Sequence, residues 1–168
     1  MAKAIRIEEN PPFPNHPLPV LYYPNALDEL LEKSDPAEAV LAFFSDNGYS
    51  NGWVNGIYDY HHFHSNTHEV LGCIAGRSTV QLGGPDKDEY PFSKGDVILL
   101  PAGVAHKLTD STDDFKIVGA YPNGMEPDMQ RGEASNYDTV QKRAYDTLVP
   151  ATDPVTKFKG PVQKYWDL

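Results

Sequence analysis

The chain has 168 residues, 40% hydrophobic and 23% charged, a composition that fits one folded domain with a real core and not a disordered segment. Its formal net charge of −10 speaks against nucleic acid and anionic membrane surfaces as partners. Cys73 is the single cysteine, which excludes an intrachain disulfide and a zinc-finger motif; no apolar leader opens the sequence and no apolar run reaches membrane length, so a cytoplasmic protein is expected.

In chain order, residues 1–24 carry a short alternating piece, Ala4 to Glu8, and then Pro11, Pro12, Pro14, Pro17 and Pro19. Proline fixes φ and lacks an N–H, so this segment should be extended and lie along a sheet edge or over a partner surface. Two short helices are expected next. Leu27, Leu30 and Leu31 mark the first, and Asp35-Pro36-Ala37-Glu38 opens the second as N-cap, first-turn proline and carboxylate. Val40, Leu41 and Phe44 give that helix its apolar face, and Asn47-Gly48 caps it. From about Trp53 to Tyr121 the pattern predicts strands near 53–64, 68–75, 77–82, 96–100, 104–109 and 115–121, the spacing of an all-β sandwich or barrel. The stretch 83–89 is a charged hairpin loop. Beyond it, residues 123–168 form an extension with a helix expected around 136–146 and an apolar end, Val162 to Trp166, able to dock on the barrel. The whole is read as a single domain, 1–168, with a barrel core at about 50–122.

Four of six histidines fall in HHFHSNTHEV, residues 61–70. Side chains alternate along a strand, so on one running through 56–64 the residues Tyr58, Tyr60, His62 and His64 share a face. After a turn at Ser65-Asn66-Thr67, Glu69, Leu71 and Cys73 share another. If both faces look inward, His62, His64 and Glu69 converge as a facial set that leaves positions open on a metal. The same parity turns His61 and His68 away, toward the outer face or an interface. His16 reads as a surface or packing residue, and Cys73 as a small buried hydrophobe. Further on, Gly95 leads into the buried strand Val97 to Leu100, and Pro101-Ala-Gly103 makes a bend that presents His106.

Gly56-x5-His62-x-His64-x4-Glu69-x6-Gly76 and Gly95-x5-Pro101-x-Gly103-x2-His106 resemble the two motifs of the cupins. One position departs: Asp110 stands where the second motif usually ends in Asn, which is not a metal ligand. NGWVNGIYDYHHFHSNTHEVLG, LPAGVAHK and VGAYPNG further resemble the small YjlB-like cupins, a group without an assigned reaction. The resemblance implies an all-β, double-stranded β-helix (jelly-roll barrel) with short helices before and after it. It also implies one divalent metal ion, of Fe, Mn, Ni, Co or Zn, held by His62, His64, Glu69 and His106. Tyr60 joins Glu69 as a candidate catalytic group, while Tyr58 and Gln81 are candidate polar groups behind the ligands. Two functions follow from this: a metal-dependent enzyme acting on a small polar organic molecule, oxygenase-like ahead of isomerase or decarboxylase, or a metal-containing protein that binds a small ligand without turnover. The unpaired edge of an open jelly roll adds the expectation of a homodimer.

Overall fold

A computed structural model describes residues 1–167. Its strands are β1 (Lys3–Ile7), β2 (His16–Tyr23), β3 (Tyr49–Asn55), β4 (Glu69–Ala75), β5 (Arg77–Leu82), β6 (Glu89–Ser93), β7 (Val97–Leu100), β8 (His106–Ser111) and β9 (Lys116–Pro122). They form two antiparallel sheets, ordered β1-β2-β7-β4-β9-β3 and β6-β5-β8. The jelly roll is thus a sandwich whose ladders run in two separate sheets, all-β as expected, with short helices on one side.

Alternation along the strands builds two cores. Val70, Val97, Leu99, Val118 and Ala120 point out of the larger sheet and meet Leu27, Val40, Phe44 and Trp166. Leu71, Cys73, Ile98, Leu100 and Ile117 point the other way and meet Val80, Leu82 and Phe92 of the smaller sheet. With a layer on each face, the central strands β4 and β7 are apolar without a break. Fully burying each large side chain contributes about 1.5–3 kcal/mol.

The covering layer includes α1 (Pro36–Asp46) and α3 (Pro161–Tyr165), while α2 (Tyr137–Asp146) packs apart from it, with Val140 against Phe13, Phe63 and Ala105. Asp35 caps α1 by accepting from the Glu38 amide at 3.2 Å, and Gly48 beyond its end has a φ of +92°. The first expected helix is reduced to turns and one 3-10 turn, Leu30–Glu32. Leu27 is nevertheless buried, held by its amide on the Gly95 carbonyl at 2.9 Å. The proline-rich segment supplies two strands: β1 and β2 form a hairpin, and β2 covers the edge of β7. Its edge role is therefore met inside the chain. β6, absent from the expected strands, is an edge strand, where Pro91 can sit without breaking a central ladder.

Residues 123–167 close over one end. Trp166 donates its indole N–H to the Pro19 carbonyl at 2.8 Å, and Asp153 accepts from the Tyr23 hydroxyl at 2.7 Å and from the Val162 amide at 3.0 Å. No helix of the described residues is long and apolar enough to cross a membrane.

Candidate metal centre

Glu69 opens β4 opposite Leu100 and shares the inter-sheet face with Leu71 and Cys73, so its carboxylate enters the space between the sheets at 3% exposure. His106 opens β8 after the bend at Pro101–Val104, closed by the Val104 amide on the Pro101 carbonyl at 3.2 Å. Gly103 has a φ of +92°, and a Cβ there would meet the Asn15 carbonyl oxygen at 2.5 Å, so only glycine fits the bend. The Gly103 amide also donates to the His64 carbonyl at 2.8 Å. One bend thus aims His106 and holds the backbone of His64.

The strand expected through residue 64 ends at Asn55. His62 and His64 keep their parity by other means. His62 exchanges both backbone hydrogen bonds with His106, at 3.2 and 2.9 Å, while Phe63 exchanges both with Gln130 at 2.9 Å. With residue 63 tied to the extension and residue 62 to β8, both imidazoles turn to the cavity side.

Each imidazole has Nδ1 against a backbone carbonyl: His62 on Tyr60 at 3.0 Å, His64 on Asp128 at 2.5 Å and His106 on Val104 at 3.1 Å. A carbonyl can only accept, so Nδ1 carries the proton and Nε2 presents its lone pair. The Nε2 atoms of His64 and His106 each lie 3.4 Å from Glu69 Oε1, and the three ligand atoms fall within 4.8 Å of one another. His62 stands beside them, its ring centroid 4.1 Å from that of His106 and 6.1 Å from that of His64. Burial alone would raise the Glu69 carboxyl, yet His64 and His106 hold it well below the usual carboxylate range. Burial pushes His64 down, and Glu69 with Asp128 more than reverses this, to about 9. Burial, and then His106 and His64, lower His62 to about 3. A buried carboxylate needs a cation beside it, and either a protonated His64 or a divalent ion supplies one. Donor types, tautomers and burial all fit a metal.

The cluster forms the floor of a cavity of about 420 Å³. Two of its walls were not read from the sequence. Tyr121 accepts from the Trp53 indole N–H at 2.8 Å, and its hydroxyl reaches Glu69, which together with burial raises its proton affinity. Alternation from Ile117 through Gly119 would have placed it. Gly119 matters here, because a Cβ on it would strike the Trp53 ring. Asp128 had no signal. Its carboxylate accepts from the Ser65 amide at 2.6 Å, from the Ser65 hydroxyl and from Gln130 at 3.0 Å, with Arg143 at 3.5 Å.

Other expected residues fall elsewhere. Tyr60 does not line the cavity; its ring lies between Tyr58, stacked at 4.9 Å, and the Arg131 guanidinium at 3.7 Å. The chain turns out of extended geometry before residue 60, which breaks the parity that placed it. Tyr58 lines the mouth, 54% exposed, and is not packed in a core. Gln81 is on the outer face of β5, opposite to buried Val80 and Leu82, with its amide on the Lys87 carbonyl at 2.9 Å. His68 turns from the cluster but is buried, accepting from the Ala102 amide at 2.8 Å with Trp166 4.8 Å away. His61 packs edge-on against Phe13 at 5.7 Å. His16 is buried against Tyr145, with ring centroids 5.0 Å apart. Burial raises the Cys73 thiol to about 12, which leaves it unreactive. Asp110 lies exposed on β8.

Residues 53–118 match the Cupin domain family. Among solved structures, acireductone dioxygenase from Bacillus anthracis, with cadmium in its active centre, is 19% identical over 64% of this chain and 80% of its own, with a TM-score of 0.46. The sugar 3,4-ketoisomerase QdtA from Thermoanaerobacterium thermosaccharolyticum, in complex with TDP, is 19% identical over 55% and 72%, with a TM-score of 0.42. Likenesses at this level carry nothing about reaction. An uncharacterized protein of Bacillus subtilis, YjlB, is 38% identical over 154 residues, 91% of this chain and 89% of its own length. With the two motifs folded around one cluster and that relative matched along nearly its whole length, the chain belongs to the YjlB-like cupins.

Proposed function

We propose that the protein is a cytoplasmic metal-dependent enzyme acting on a small polar organic molecule, with oxygenase-type chemistry ahead of isomerisation or decarboxylation. His62, His64, Glu69 and His106 are the ligands in this reading. The observation that supports it is the preset tautomer: His62, His64 and His106 have Nδ1 on backbone carbonyls, and His64 and His106 present Nε2 to the buried Glu69 carboxylate on the floor of an open cavity. Such backbone anchoring orients a metal ligand and fixes its donor nitrogen. A bound Fe, Mn, Ni, Co or Zn ion would supply Lewis acidity and, where redox-active, chemistry with O2. The chain's own residues do the rest. Tyr121 and the imidazoles position Glu69, which would serve as a ligand and as the acceptor of a substrate proton, while Trp53 and Tyr58 flank the entrance.

Elemental analysis of protein purified without a His-tag column tests the ligand set. One metal per chain is expected, lost in His64→Ala and Glu69→Ala. Metal retained in both variants would sink the assignment. Metal present without O2 uptake or turnover across a broad panel of acids, sugars and diketones would favour a binding protein. Association as a homodimer through the outer edge of β1 is part of the same reading. A monomer by light scattering at micromolar concentration would remove it.

A further inference from the structure

The cavity has a charge pattern that selects its ligand. Much of its wall is apolar, with Trp53, Val54, Ile57, Leu71 and Met129, and Asn55 and Tyr58 add uncharged polar groups. No Lys or Arg lines it among the described residues. Two cations beside the lining are already engaged, Arg131 on the face of Tyr60 at 3.7 Å and Arg143 on Ser65 at 3.0 Å and Asp128 at 3.5 Å. Asp128 itself is a wall residue. A divalent ion on three neutral imidazoles and Glu69 keeps a net charge of +1, which one negative charge of a ligand balances. A second negative charge would enter a mostly apolar cavity with no partner, which is costly. At about 420 Å³ the cavity lies in the lower part of the ~300–1,000 Å³ range of small-molecule sites.

Resting on the metal reading above, we infer that the substrate is a small oxygen chelator, neutral or singly charged when bound, with an apolar tail. Its two oxygens face the ion and its tail lies against Trp53, Ile57 and Met129. Phosphorylated sugars, nucleotide sugars and dicarboxylates are excluded as substrates by the same charge pattern. Malonate is the sharp control, because it offers the same oxygen spacing as a β-diketone with a second charge and no tail.

Protein loaded with Mn(II), its content checked by elemental analysis, is titrated by calorimetry with benzoylacetone, acetylacetone, malonate and inorganic phosphate. Benzoylacetone should bind at least tenfold more tightly than malonate or phosphate, and more tightly than acetylacetone. Ile57→Ala should weaken benzoylacetone about threefold or more at unchanged Mn content. Met129→Arg, at a position 43% exposed and so tolerant of the change, should raise malonate or phosphate affinity at least tenfold. Mn at one per chain with malonate or phosphate binding as tightly as benzoylacetone, or with no ligand binding, overturns the ligand class and leaves the metal reading standing. Retention of none of Mn, Fe, Co, Ni and Zn overturns both.

Discussion

Glu69 and His106 stand on strands, where ladders to β7 and β9 and to β5 fix their backbones. His62 and His64 stand on residues 56–68, which meet the rest of the chain through isolated bridges and through the extension. One wall of the centre is therefore set by the sandwich and the other by what the extension does to a loop. The site is held by the sandwich itself on the strand side and depends on a second, remote segment on the loop side. The strand-borne candidate ligands need only the fold. The loop-borne candidates also need Asp128, Gln130 and Arg143, more than sixty positions downstream.

The sharpest way to probe the strand wall is His106→Ala, which should lower metal affinity by more than the ~100-fold upper range for loss of a supporting group. Retention of stoichiometric metal would show that the loop wall alone can hold the ion. Asp128→Ala tests the other wall. It frees the Ser65 amide and hydroxyl while leaving the carbonyl that holds His64, so metal affinity should fall about 10–100-fold with the strand content by circular dichroism unchanged. An unaltered affinity would mean that the bridges of His62 and Phe63 suffice.

Where the extension meets the sandwich, pH supplies a third probe. His16 accepts from the Leu18 amide through Nδ1 at 2.9 Å, and its Nε2 is buried without a hydrogen-bond partner. His68 from β4's entrance and Tyr145 from α2 face it. Burial lowers it from 6.5 to about 4, against a smaller opposing effect of the Ala144 carbonyl. The unfolded chain then binds the proton first, so stability is full above pH 6.5, falls as pH drops and levels off below about 4. By pH 5 the loss should be about 2 kcal/mol from this group. Urea unfolding at pH 7 and pH 5 reads it, and His16→Gln should flatten the slope; an equal slope in the variant would assign the effect elsewhere.

Smaller effects are expected at the two tyrosines. Tyr121→Phe removes a hydroxyl shared between Trp53 and Glu69, leaving the indole N–H unpaired at a cost of about 1–3 kcal/mol in thermal or urea stability. Tyr60→Phe keeps the ring that stacks on Tyr58 and under Arg131, so substrate turnover should stay within about twofold. A larger loss there would return Tyr60 to the chemistry and undo its placement behind the cavity.

Legibility in the sequence followed the same division. β4, β5, β7 and β9 were readable because both faces of the central strands are covered and the turn residues are glycine and proline, and the spacing of Glu69 and His106 came with them. Alternation holds over 62–64, which turns His62 and His64 to the cavity, and fails at Tyr60, where the chain is no longer extended. Asp128 and Arg143 were unreadable, because their role arises from closure of the extension over a loop and not from any periodicity. Gln81 shows the opposite error. Its neighbours Val80 and Leu82 are apolar, and that alternation alone turns it outward.

The contact of Trp166 with the carbonyl of Pro19, 147 positions apart, and that of Asp153 with Tyr23, 130 apart, also bear on how the molecule is made. Segments this far apart cannot lock onto each other during synthesis until the later one has left the ribosome. The outer face of β4 and β7, which α1 and Trp166 cover together, stays partly open until then. Pairings so distant along the chain slow folding, because the intervening loop must close before any contact rewards it. Of the two segments, the later to emerge is the one that shuts the core.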